Sequence, residues 1–186
     1  MSHYGEMMTD AESLISDFQA DASIARITGW PCALRSEGLP APHSQTVLPE
    51  GSVAVYVFAV SSHTGKSAPC GVGTVLKIGG MGPNSHTRFR YMNYNPGSSN
   101  SNLAKSILAY PILWPWLGLQ DVTVDSVGQW IRTALDRTTF FIPAGYPEVL
   151  ATLEPYIRAA SAASLMAPER MPNSEGEMSS QSRRRR

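Results

Sequence analysis

The nine residues from Ser52 to Val60 (Ser-Val-Ala-Val-Tyr-Val-Phe-Ala-Val) are nearly all apolar and none is charged. They are β-branched, aromatic or small, and the run is short, which predicts a buried strand. A buried strand needs hydrogen-bonding neighbours. Residues 74–78 (Thr-Val-Leu-Lys-Ile), ending at Gly79-Gly80, supply the nearest, and the Ser- and Gly-rich loop between them predicts an antiparallel hairpin. Residues 138–142 (Thr-Thr-Phe-Phe-Ile) predict a third strand.

The remaining segments read as helices and connections. Thr9-Asp10-Ala11-Glu12 has the form of a capping box, and Leu14, Ile15 and Phe18 follow at helical spacing, predicting a helix over 10–25. Residues 30–51 hold four prolines and no periodic pattern, and read as a surface connector. Ser85 caps a short helix through Arg88 to Tyr91; residues 96–101 break it, and 102–109 resume it. Val127, Trp130, Ile131, Ala134 and Leu135 give an amphipathic helix over 126–136. Pro147 opens the last helix, whose apolar face is Leu150, Leu153 and Ile157. Residues 170–186 read as disordered. The order β-β-α-α-α-β-α is α+β: a small three-stranded antiparallel sheet flanked by helices, with an N-terminal helix and connector. The expected division is 1–50 for helix and connector, 51–160 for the main domain, and 161–186 for a polar, Arg-ending tail.

Composition matters mainly through its asymmetry. The chain carries 15 basic and 15 acidic residues. Between Gly51 and Gln120, however, there are five basic residues (Lys66, Lys77, Arg88, Arg90, Lys105) and no carboxylate. An anion meets no repulsion from side chains there. Collagen, coiled coil and wholesale disorder are excluded by the residue mix. The longest apolar run, 107–119, falls short of the roughly 18 residues of a membrane span and is broken by Pro111 and Pro115. The N-terminal residues, with Glu6, Asp10 and Glu12, lack the basic and apolar blocks of a secretory leader, so the expected location is cytoplasmic, without a membrane partner. Cys32 and Cys70 are expected as unpaired thiols, and the four histidines show no zinc-type spacing.

Gly65-Lys66-Ser67 ends like a phosphate-binding loop, but Val60 stands where that motif needs Gly, and no helix follows. Gly71, Gly73, Gly79, Gly80 and Gly82 read as turn glycines. A different group looks chemical. Tyr56 lies in the first strand, Lys77 in the second and Arg88 on the next helix, so the hairpin can gather a phenol, an ammonium and a guanidinium on one face. Glu154 sits between Leu153 and Ile157, at the edge of an apolar helix face, an odd place for a merely solvated carboxylate. Trp114-Pro115-Trp116 reads as core or as a surface for a protein partner.

The segment from Val55 to Leu108, with Ala54-Val55-Tyr56, Lys77-Ile78-Gly79, Ser85-His86-Thr87-Arg88-Phe89, Asn93-Tyr94-Asn95-Pro96 and the later Leu153-Glu154, resembles the GIY-YIG nuclease superfamily, in particular a bacterial and phage branch. The resemblance covers roughly residues 52–160. It departs at Ala54, at Lys77 and at Asn93, where this branch usually has His; that role is left open or passes to Tyr94. The resemblance implies a Mg²⁺-dependent endonuclease acting on DNA phosphodiesters, with Mn²⁺ able to substitute. Tyr56 would be the general base, its phenol acidified by a neighbouring cation. Lys77 would supply that cation or orient the water, Arg88 would clamp the phosphate, and Glu154 would be the metal ligand. Arg90 and Lys105 would contact nucleic acid, and a protein partner or homodimer is compatible with it. The alternative is a catalytically silent nucleic-acid- or protein-binding module on the same fold.

Overall fold

The computed structural model describes residues 3–24, 34–65, 67–98 and 102–166. The element order is α1 (His3–Ile24), β1 (Arg35–Leu39), β2 (Ser52–Val60), β3 (Val75–Met81), α2 (His86–Tyr91), α3 (Leu103–Ala109), a 3₁₀ turn at Pro111–Leu113, α4 (Val127–Ala134), β4 (Leu135–Pro143) and α5 (Pro147–Met166). The class is α+β, but the sheet has four antiparallel strands rather than three, in the order β1-β4-β2-β3.

The additional strand is β1, in the segment expected to be a connector. It pairs only with β4, from Arg35 opposite Phe141 to Leu39 opposite Arg137. Its sequence, Arg-Ser-Glu-Gly-Leu, is charged and carries a glycine, as edge strands commonly are, and so gives no alternating apolar signal. The boundary expected at residue 50 therefore falls between two strands of one sheet. Three smaller differences have local causes. Thr9 lies inside α1, whose backbone is helical from His3, so it is not an N-cap. Helix α4 stops at Ala134 because Leu135 enters β4 directly, its apolar side chain satisfying either period. Gly79 and Gly80 belong to β3 itself and are not in a turn. The expected disorder of 170–186 and the thiol Cys32 lie outside the described residues; Cys70 is a free thiol.

β2 is covered on both sides, as its sequence demands. Ala54, Tyr56, Phe58 and Val60 face a cluster with Phe89, Leu103, Ile107, Val127 and Ile131, contributed by α2, α3 and α4. Val53 and Val55 face Phe18 of α1 and Val149, Leu153 and Ile157 of α5. Outside the sheet, α3 is capped by Asn102, whose side chain accepts from the Lys105 amide at 2.7 Å. Helix α5 continues through Pro155, and no helix among the described residues is long and apolar enough to cross a membrane.

The α2–α4 side also buries His43, only 8% exposed, with its ring 5.9 Å from Tyr94 and 6.3 Å from Phe58. Burial pushes its pKa below the usual 6.5, outweighing its contact with the Ser44 carbonyl. The unfolded chain then takes up this proton first as pH falls, so the folded state is favoured fully above about pH 6.5 and progressively less below it. The expected result is a denaturant midpoint that falls between about pH 7 and pH 5, with a shallower fall in His43→Gln. Equal slopes for the two proteins would assign the acid sensitivity to other groups.

Candidate active site

Two consecutive glycines build the site. Tyr56 stands directly opposite Gly79, and Phe58 opposite Lys77. Opposed residues of an antiparallel pair share a face, so Tyr56 and Lys77 lie on the same one. A Cβ on Gly79 would sit 2.5 Å from the Tyr56 hydroxyl and 2.7 Å from Cζ; the bare backbone is what the ring lies across. The next residue, Gly80, points to the opposite face. A Cβ there would be 2.6 Å from Glu154 Oε2, which arrives from α5. Side chains from the two faces thus approach each other around a strand that has no side chains of its own at this level. The result is an open pocket of about 940 Å³ whose lining includes Tyr56, Lys77, Gly80, Arg88 and Glu154.

Tyr56 is the most constrained member. It is 2% exposed, and its ring packs edge-on to Phe58 and Phe89 at 5.9 and 6.2 Å. Burial raises its pKa above 10; a hydrogen bond from the Asn93 side chain opposes the rise, Glu154 adds to it, and Arg137 and Arg88 pull it down. The expected acidified phenol is therefore corrected: in the free protein, desolvation wins. Arg88 is exposed on α2. Glu154 is at the rim, with its side chain 30% exposed, and Arg158 one turn on donates to Oε1 at 2.9 Å. An exposed pair of this kind is worth at most about 1 kcal/mol, so it orients the carboxylate without locking it.

The metal expectation can be tested on these donors. Among the described residues there is no group of three or more His, Cys, Asp or Glu that could cage an ion. The site offers one hard carboxylate, with Oε2 over the space that Gly80 leaves open. That donor set fits Mg²⁺, which keeps most of its waters and takes one or two carboxylates plus substrate phosphate. It does not fit Zn²⁺ in a closed structural site.

The other expected residues are not gathered here. Tyr94 is buried in the core, accepting from Arg137 Nη1 at 3.3 Å, and does not line this pocket. Arg90 lines a separate pocket. Lys105 is exposed on α3 and does not line this pocket. Three residues were not recognised as site residues from sequence. Asn93, 4% exposed, bonds Tyr56 and also accepts from the Leu103 amide at 3.4 Å, tying the phenol to the start of α3. Arg137 is 1% exposed, with its guanidinium carbon 4.1 Å from the Phe89 ring centre and Nε and Nη2 without hydrogen-bond partners. Nothing in a strand pattern signals an inward arginine. Arg158 was legible, as a cation four residues after Glu154. No family model, curated protein or solved structure matches the chain.

The two glycines should respond differently to a methyl group. In Gly79→Ala the new atom meets a ring pinned by Phe58 and Phe89, an overpacking expected to cost about 1–3 kcal/mol. In Gly80→Ala it meets the end of a flexible side chain, so stability should change little while the carboxylate is displaced. Urea unfolding of both variants checks this, and an equal loss in the two would contradict the arrangement.

Proposed function

We propose that the chain is a GIY-YIG-type endonuclease that hydrolyses DNA phosphodiester bonds with the help of Mg²⁺. The observation that carries the reading is the single pocket shared by Tyr56, Lys77, Arg88 and Glu154, brought from β2, β3, α2 and α5. A phenol, two cations and a lone carboxylate together offer a proton acceptor, a clamp for phosphoryl oxygens and a metal ligand, the set that in-line phosphodiester hydrolysis requires.

In this reading Arg88, exposed on α2, forms charge-assisted hydrogen bonds to the scissile phosphate that strengthen as charge develops. Lys77 orients the attacking water. Tyr56, as phenolate, takes a proton from that water while the new P–O bond forms and the bond to the 3′-oxygen breaks. The departing oxygen takes its proton from solvent. In the free protein Glu154 raises the Tyr56 pKa, while Arg137 and Arg88 favour the phenolate. When bound at Glu154, Mg²⁺ supplies charge neutralisation to the phosphoryl and leaving oxygens. The alternative, a binding module without catalysis, draws on two observations: Glu154 is already paired with Arg158, and burial keeps Tyr56 protonated.

Plasmid cleavage in Mg²⁺ separates the two readings. The expected outcome is a rate that climbs with pH through neutrality without levelling below about pH 9, because the phenolate fraction keeps growing while Tyr56 titrates late. Glu154→Gln should retain the melting temperature and lose cleavage. Arg88→Ala should lose cleavage but keep most DNA affinity. Full activity of the Gln variant, or undiminished cutting in excess EDTA, would remove Glu154 from the mechanism. Binding with no cutting at any metal concentration would select the silent module.

A further inference from the structure

A second, separate pocket lies behind α2. It has a volume of about 350 Å³, and its lining includes His43 and Gln45 from the segment before β2, Arg90 from α2, and Gln129 and Arg132 from α4. No carboxylate belongs to that lining. The pieces are held in place: the His43 amide donates to the Arg132 carbonyl at 3.0 Å, and Arg132 Nη2 donates to Gln129 Oε1. Arg132 Nε, by contrast, is buried with no acceptor. An N–H of a charged group left in this state is unfavourable. The position of Arg132 in the last turn of α4 suits the helix dipole, but the dipole does not explain a second guanidinium brought from α2. Asp125 lines the adjoining pocket, yet among the described residues it forms no ion pair with Arg132.

We infer that this pocket seats a phosphate group of the nucleic-acid backbone, with Arg90 and Arg132 as its cationic walls. Arg88 and Arg90 are two residues apart on α2, so they point to opposite sides of that helix. One serves the candidate active site and the other this pocket. A backbone crossing α2 would then be held by phosphates on both sides of the helix, which fixes its direction across the cutting site. The inference rests on the nucleic-acid reading above, but not on cleavage.

The test uses the full chain and two probes. Inorganic phosphate is titrated while the Arg132 Nε–H resonance is followed by NMR, with chloride at matched ionic strength as control. A short duplex oligonucleotide is then titrated against wild type, Arg90→Gln and Arg132→Gln over a range of salt. The expected results are a saturable, phosphate-specific shift of the Nε–H signal and a several-fold loss of duplex affinity in each variant. The salt slope should also flatten by about 0.9 per lost contact. Because Arg132 is partly buried in the last turn of α4, the exposed Arg90 variant keeps the test valid if Arg132→Gln unfolds. A shift with phosphate but unchanged duplex affinity would overturn the backbone assignment. No shift would overturn the pocket as an anion site, and unchanged affinity and salt slope in Arg90→Gln would overturn the contact between this pocket and the duplex. A wild type that binds with the expected slopes but never cuts would leave this inference standing and remove the nuclease reading instead.

Discussion

A β-sheet keeps the side chains of its two faces apart, and the candidate site exists only where that separation fails. At Gly79-Gly80 two successive positions of an edge strand lack Cβ atoms, one on each face. Tyr56 occupies the first gap and Glu154 the second. Neither glycine has a left-handed backbone, so conformational freedom is not the reason for them; close approach is. The surroundings follow from this thinning. β3 has to be an edge strand for α5 to bring Glu154 to its rim, and α2 has to follow β3 closely for Arg88 to close the other side.

Beneath the pocket the balance of charge is unusual. Arg137 is buried between Phe89 and Phe58 with one hydrogen bond, to Tyr94, and no carboxylate partner among the described residues. A cation over an aromatic face recovers about 2 kcal/mol when desolvated, whereas burying an unpaired ion costs several. Packing stability therefore does not account for this residue. Its visible effect is electrostatic, since it favours the charged form of both Tyr56 and Tyr94 against the desolvation that dominates each.

What could be read from residues alone follows what those residues bury. β2 was plain because every side chain in it after Ser52 is apolar or aromatic, and α4 because Val127 and Ile131 repeat at helical spacing. β1 was not, since an edge strand of Arg-Ser-Glu-Gly-Leu is mostly polar and has one partner only. At the site, Tyr56, Lys77 and Arg88 were legible as a group because a hairpin fixes which residues share a face. Tyr94 was misplaced because its neighbour, Asn93, is the one that turns toward the phenol. Arg137 stayed hidden because its place beside Phe58 depends on a pairing between β2 and β4 that no local pattern encodes.

That same pairing has a consequence for how the molecule comes into being. The central ladder joins Ser52 to Pro143, with β3 and helices α2, α3 and α4 lying between them in the chain. During synthesis the β2–β3 hairpin can close early, since its contacts are local, whereas β4 must wait for all three helices to emerge. Glu154 comes later still, on α5. A growing chain therefore displays the phenol and the arginine long before it owns the carboxylate. A fragment that stops short of α5 therefore cannot assemble the whole pocket.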